Sequence, residues 1–337
     1  MMTDAAIIER LHDQVHAEEL RTIWLAGGCF WGTEAYFKKI PGVVDTEVGY
    51  ANGRSDQPRY ETLKESGHAE TVKIVYDANR VSLFELLLHY LRTIDPFSVN
   101  RQGNDIGTQY RTGIYFEPND ERSERVAKRL IEEKEKEYGR KTAIEILPLE
   151  GFGDAESYHQ NYLDNNPMGY CHVNLNLANQ PLFEEENRRY RKLSEEEARQ
   201  SLTHAEFEVT QHAATEAPFS HPYDHEFRPG IYVDRVTGEP LFVSTHKYDS
   251  GCGWPAFSRP ISESRIEYVE DFSHGMHRVE VKSAYGQSHL GHVFTDGIKE
   301  QGGLRYCING SALRFIPEED LEKEGYGIYR ALVEENR

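Results

Sequence analysis

The sequence changes rhythm near its middle, and that change limits the chain to two unlike domains. From Arg21 to Leu149, strand-length apolar runs alternate with helix-length amphipathic ones. Arg21–Ala26, Val43–Tyr50, Glu70–Tyr76, Thr112–Phe116 and Thr142–Leu149 read as strands. Cys29–Ile40, ended by Pro41-Gly42, Ser82–Thr93 and Asp120–Tyr138 read as helices. From Gly230 onward the runs shorten to Gly230–Val233, Pro240–Val243, Arg265–Val269, Arg278–Lys282, His292–Thr295, Leu304–Ile308 and Ala312–Ile316, separated by turn residues. Between the two halves lies Leu177–Thr203, charged and rich in helix formers, with Glu184-Glu185-Glu186 and Glu195-Glu196-Glu197; it reads as a solvated connecting segment. No repeat relates the halves, so the chain is a fusion rather than a duplication. Its 337 residues also exceed the ~250 to 300 at which single cores stop growing. The expected domains are residues 20–177 and 201–320, with a linker at 178–200. Strands alternating with helices indicate an α/β layered first domain; the expected class is α+β, a mixed sheet with helices of ferredoxin-like type, followed by a mainly antiparallel β domain.

A formal net charge of -19 repels phosphate backbones and anionic headgroups, so neither nucleic acid nor a membrane surface is an expected partner. Met1 to Leu20 has no apolar stretch of signal-peptide length, and no run is long enough to span a bilayer; a cytoplasmic location is expected. The four cysteines fall two in each half, Cys29 and Cys171, then Cys252 and Cys307, and never at Cys-x-x-Cys spacing. That is too few for a disulfide-dense scaffold and the wrong spacing for paired zinc ligands.

Cys29 follows Gly27-Gly28 at the start of a helix, where free N–H dipoles favour the reactive thiolate. Phe30 and Trp31 offer two apolar surfaces beside it. Taken alone, the turn fits a buried core cysteine equally well. The words around it decide more. Gly28-Cys29-Phe30-Trp31-Gly32 is followed in order by Gly49-Tyr50-Ala51-Asn52-Gly53, Tyr60-Glu61, Gly67-His68-Ala69-Glu70, Gln102 to Arg111 and Tyr158-His159-Gln160-Asn161-Tyr162-Leu163. Residues 21–175 thereby resemble the A-type methionine sulfoxide reductases. The resemblance implies that Cys29 attacks the sulfoxide sulfur, Glu70 gives a proton, and Tyr60 and Tyr110 hold the oxygen. Phe30 and Trp31 would cradle the methyl, with Asp105 as a supporting carboxylate and Cys171 as the resolving thiol. Tyr60 to His68 lacks a cysteine that some relatives carry there, so a single resolving step is expected.

Cys307 sits in Arg305-Tyr306-Cys307-Ile308-Asn309, and upstream His289 and His292 are three residues apart, a spacing open to a metal site or a structural pair. Four ordered blocks resemble the B-type methionine sulfoxide reductases over residues 201–317: Asp249 to Phe257, Ser273 to Met276, His289 to Gly297 and Gly303 to Asn309. This implies Cys307 as nucleophile, His289 and His292 as proton donors, Arg305 and Asn309 as supports, Trp254 facing substrate and Cys252 as resolving thiol. Many relatives hold zinc with two Cys-x-x-Cys pairs; the matching positions here are Asp234 with Thr237 and Ser283 with Gly286, so no metal and no other cofactor is expected. Since sulfoxide sulfur is chiral and each epimer needs its own enzyme, the fusion implies reduction of both, in free methionine sulfoxide and in oxidised proteins. Each turnover would end in a disulfide, Cys29 with Cys171 or Cys252 with Cys307, reopened by a thioredoxin-type reductant. A general thiol-disulfide exchanger would carry Cys-x-x-Cys, and a redox-sensing module would not need two sets of acid and aromatic groups.

Overall fold

The structure is a computed structural model that describes residues 3–15, 17–55, 58–183 and 189–335. It contains two compact units, Leu20–Gln180 and a second built from Met1–Glu19 together with Pro181–Arg337. Helix α1 (Asp4–Val15) opens the chain and belongs to the second unit.

In the first unit β1 (Leu20–Gly27), α2 (Phe30–Phe37), β2 (Val43–Ala51), β3 (Ala69–Asp77), α3 (Leu83–Thr93), β4 (Thr112–Phe116), α4 (Glu121–Tyr138), β5 (Glu145–Pro148) and β6 (Phe152–Asp154) follow in sequence. Their six-stranded sheet has the order β5-β4-β1-β3-β2-β6. Only β4 and β5 run parallel; every other neighbour is antiparallel. Helix starts follow capping chemistry. Ser82 and Glu85 form a reciprocal capping box on α3, and Asp120 accepts the Ser123 N–H at the start of α4. Leu83, Leu86, Leu87 and Tyr90 turn the buried stripe of α3 into the core, each 0% exposed.

The second unit continues with α5 (Glu195–Ser201), α6 (His204–His212), β7 (Gly230–Asp234), β8 (Pro240–Val243), β9 (Lys247–Tyr248), β10 (Ala256–Phe257), β11 (Ile266–Asp271), β12 (Arg278–Ser283), β13 (His289–Phe294), β14 (Arg305–Ile308), β15 (Leu313–Pro317) and α7 (Arg330–Glu335). All its strand pairs are antiparallel, in a three-stranded sheet β8-β7-β15 and a six-stranded sheet β9-β10-β14-β13-β12-β11. The connecting segment is less solvated than its charge suggests. Phe183, Tyr190 and Ala198 are buried, and the Arg265 guanidinium lies 4.3 Å from the Phe183 ring and 5.5 Å from that of Tyr190. The Glu184-Glu185-Glu186 run lies outside the described residues. Past residue 320 the chain still packs: Leu321, Tyr329, Ala331, Leu332 and Val333 are each 0% exposed. Among the described residues no helix is long and apolar enough to cross a membrane.

Two candidate active sites

In the first unit, Gly28 makes the turn from β1 into α2 at φ 78°, a left-handed conformation that strains other residues. Cys29 becomes the N-cap residue of α2, shorter than the Cys29–Ile40 helix expected from sequence. The Phe30 N–H donates to Glu70 Oε2 at 3.2 Å, tying this helix start to β3. Burial, aided by Asp105 and opposed by that N–H, pushes the Glu70 carboxyl up to about 8. The group is therefore an acid at neutral pH.

Cys29 departs from expectation. Its helix N-terminus does not free a thiolate: burial raises the thiol most, Glu70 adds to it, and the Trp31 N–H pulls down without prevailing. Tyr60 and Tyr110 share a hydrogen bond, and burial and Glu70 raise both phenols. Asp105 accepts the Tyr170 hydroxyl at 3.1 Å. The Cys171 thiol donates to the Val173 carbonyl at 3.1 Å and sits so close over Gly32 in α2 that a Cβ there would lie 2.9 Å from its sulfur. All six polar residues named from sequence thus cluster at the start of α2.

Phe30 and Trp31 both pack against His159, with ring centroids 5.3 and 5.6 Å away. Phe30 is 2% exposed against Tyr50 and His159, with ring centroids 5.8 and 5.3 Å away. Trp31 stacks on Tyr162 at 3.7 Å and donates its Nε1–H to His159 Nδ1 at 3.1 Å. Sequence reasoning gave His159 no role, although it lies in one of the matched blocks. Glu34, missed as well, accepts the N–H of Asn161, which sits at φ 55°, at 3.3 and 3.1 Å through its two oxygens, and so fixes the turn carrying His159 and Tyr162.

In the second unit, β14 places Cys307 between Ala256 of β10 and His292 of β13. Cys252, in the loop before β10, brings its sulfur to 3.6 Å from that of Cys307. The Cys307 thiol bonds to it and, with Ser250 and the Trp254 backbone, holds Cys252 down to about 5 against burial; the same bond and burial push Cys307 up. A cavity of about 130 Å³ lies alongside, lined by Thr215, Trp254, Arg278, His292, Cys307 and Asn309, with Gly291 and Phe294.

Three residues apart on a regular strand, His289 and His292 would point to opposite faces. A register shift against β12 skips Leu290 and brings the imidazole centroids to 5.7 Å. His289 Nδ1 donates to Glu280 at 2.6 Å and His292 Nε2 to Asp271 at 2.8 Å, so the histidines face separate carboxylates. Only His292 lines the cavity. Gly291 permits the close strand approach, since a Cβ there would lie 2.1 Å from the Cys307 carbonyl oxygen. Arg305 is clamped in two bonds to Asp296, at 2.8 and 2.9 Å. Asn309 accepts the Glu216 N–H at 3.1 Å and donates to Leu290 O at 3.0 Å. Glu216, in no sequence motif, also takes the Trp254 indole N–H on its carbonyl at 3.1 Å and the Gly310 and Ser311 N–H groups on its carboxylate at 2.6 and 2.9 Å.

The four positions matching zinc cysteines converge. Asp234 accepts from Thr237, Ser283, Ser288 and the Val236 N–H at 2.7 to 3.2 Å, and a Cβ on Gly286 would lie 2.2 Å from its Oδ2. Among the described residues no group of three or more His, Cys, Asp or Glu could hold a metal ion. Asp234→Ala is expected to cost about 3 kcal/mol of second-unit stability, because several buried donors lose their acceptor together; thermal unfolding with retained Cys29 chemistry checks it.

A family model for peptide methionine sulfoxide reductase matches residues 21–191, and a SelR domain model matches residues 202–317. The chain belongs to the peptide methionine sulfoxide reductase family. It is an A-type module fused to a B-type module, and its activity is reduction of methionine sulfoxide. The first unit is similar to the reduced form of Mxr1 from Saccharomyces cerevisiae, 39% identical over 46% of this chain and 92% of that one, TM-score 0.43. It is also similar to methionine sulfoxide reductase A of Corynebacterium diphtheriae, 40% identical over 45% and 77%, TM-score 0.43. Mxr1 in complex with Trx2 matches at 29% identity over 43% and 85%, TM-score 0.31.

Proposed function

We propose that the A-type module reduces the S epimer of methionine sulfoxide and the B-type module the R epimer, free or within oxidised proteins. The observation that carries this reading is the 3.6 Å approach of two thiols beside a small cavity in the second unit, with Cys29 and Cys171 similarly gathered around α2 in the first. Cysteine sulfur attacks the sulfoxide sulfur, oxygen passes to the cysteine as a sulfenic acid, and methionine leaves as the thioether. The second thiol then attacks the sulfenic acid, forming a disulfide and releasing water. A thioredoxin-type dithiol reopens the disulfide and is itself oxidised, which suits a reducing compartment such as the cytoplasm.

In the A-type module Glu70 supplies the proton to the oxygen, Tyr60 and Tyr110 hold that oxygen, and Asp105 supports the acid. Phe30 and Trp31 bound the methyl pocket, with His159 and Tyr162 setting their planes. In the B-type module His292 and His289 supply protons, Trp254 walls the cavity, and Arg305 and Asn309 hold β14 in place. Cys252 serves as the resolving thiol. The crossover order β4-β1-β3-β2 with βαββαβ connectivity supports a ferredoxin-like core in the first unit.

Mass mapping after one oxidising turnover tests the scheme. The expected links are Cys29 to Cys171 and Cys252 to Cys307; a Cys29 to Cys307 link would overturn it.

A further inference from the structure

The helix that opens the chain precedes the A-type module in sequence but packs with the B-type module. α1 buries Ile7, Ile8 and Leu11, at 2%, 6% and 6% exposure, in the same core as Tyr268, Val279 and Tyr306. Its neighbour is β11, the edge strand of the six-stranded sheet. An edge strand offers unpaired backbone, and a covering helix is one way to hold it in place.

Two polar contacts lead inward from α1. Arg10 Nη2 bonds Glu270 Oε1 at 2.8 Å, with side chains 33% and 21% exposed. Glu270 is followed on β11 by Asp271, which holds His292 at 2.8 Å and Arg278 at 2.6 Å, both lining the cavity. His12 Nε2 lies 3.9 Å from Glu263, which accepts the Tyr268 hydroxyl and, at 3.5 Å, that of Tyr306. Tyr306 directly precedes Cys307 on β14.

We propose that α1 is a working part of the Cys307 site: it seats β11 so that Asp271 holds His292 at the cavity, with Arg10 as a positioning residue. The SelR match, residues 202–317, does not include this helix. The inference rests on the reading that Cys307 carries one of the chain's two activities.

The test uses the full chain, with both epimers assayed. Cys307→Ser and Cys29→Ser first define which activity depends on which thiol. In Ile7→Asp with Leu11→Asp, the Cys307-dependent kcat is expected to fall roughly tenfold or more while Cys29-dependent turnover holds, as displacement of catalytic groups predicts. In Arg10→Ala, the Cys307-dependent kcat is expected to fall about threefold at unchanged KM, and Arg10→Lys should restore it, which loss of fold alone would not produce. If Arg10→Ala leaves that kcat unchanged, or lowers both activities alike, while Cys307→Ser abolishes one, the role of α1 is overturned by itself. If Cys307→Ser abolishes neither, the functional reading and this inference fall together.

Discussion

Cys29→Ser is expected to abolish reduction of the S epimer by this chain, by about 10³-fold or more, and to leave R-epimer turnover unchanged; Cys307→Ser should do the reverse. A serine hydroxyl at the same place is far less nucleophilic than sulfur and cannot pass through a sulfenic acid. Burial first, and Glu70 second, hold the Cys29 thiol up, so the resting group is the thiol. The measurement is turnover of the separated epimers by each single variant. S-epimer reduction that survives Cys29→Ser would remove the assignment of the first unit.

Glu70→Gln should lower S-epimer turnover about 10²-fold, the usual worth of a positioned proton donor. Its pH dependence has a definite sign. With the carboxyl pushed up to about 8, the protonated form dominates below that pH and is lost above it, so S-epimer reduction should fall on an alkaline limb centred near 8. Glutamine still accepts the Phe30 N–H but cannot donate an acidic proton, so the variant should keep its fold and lose the limb. A pH profile of kcat/KM for wild type and variant checks both parts. An alkaline limb that persists unchanged in Glu70→Gln would assign the proton to another group.

Much of this was legible in the sequence where the signal is local. Apolar runs located most of the longer strands within a residue or two, missed by three residues the starts of β5 and β13, and gave no sign of the short β6, β9 and β10; the apolar stripe of Ser82–Thr93 located α3. What stayed hidden depends on partners distant in sequence. The protonation of Cys29 is set by burial and by a carboxyl forty-one positions away. The sharing of one side by His289 and His292 needs a register slip that only the neighbouring strand reveals. Arg305, expected as a support of the Cys307 site, is committed to Asp296, and Glu216 holds β14's exit without any motif to mark it. Phe183 and Tyr190 lie in a segment whose charge hid their burial.

The location of α1 also orders events in time. Because Met1–Glu19 belongs with Pro181–Arg337, the first compact unit is inserted in sequence within the second, and the chain passes between units twice. During synthesis the inserted module can complete its sheet as soon as residue 180 has emerged, while Ile7, Ile8 and Leu11 must wait for strands more than ~250 residues later. At about 5 to 20 residues per second that wait is on the order of tens of seconds. Folding of the A-type module in the interval shortens the effective loop that closing α1 onto β11 must span. One catalytic half of this enzyme is thus ready before the other has its first helix in place.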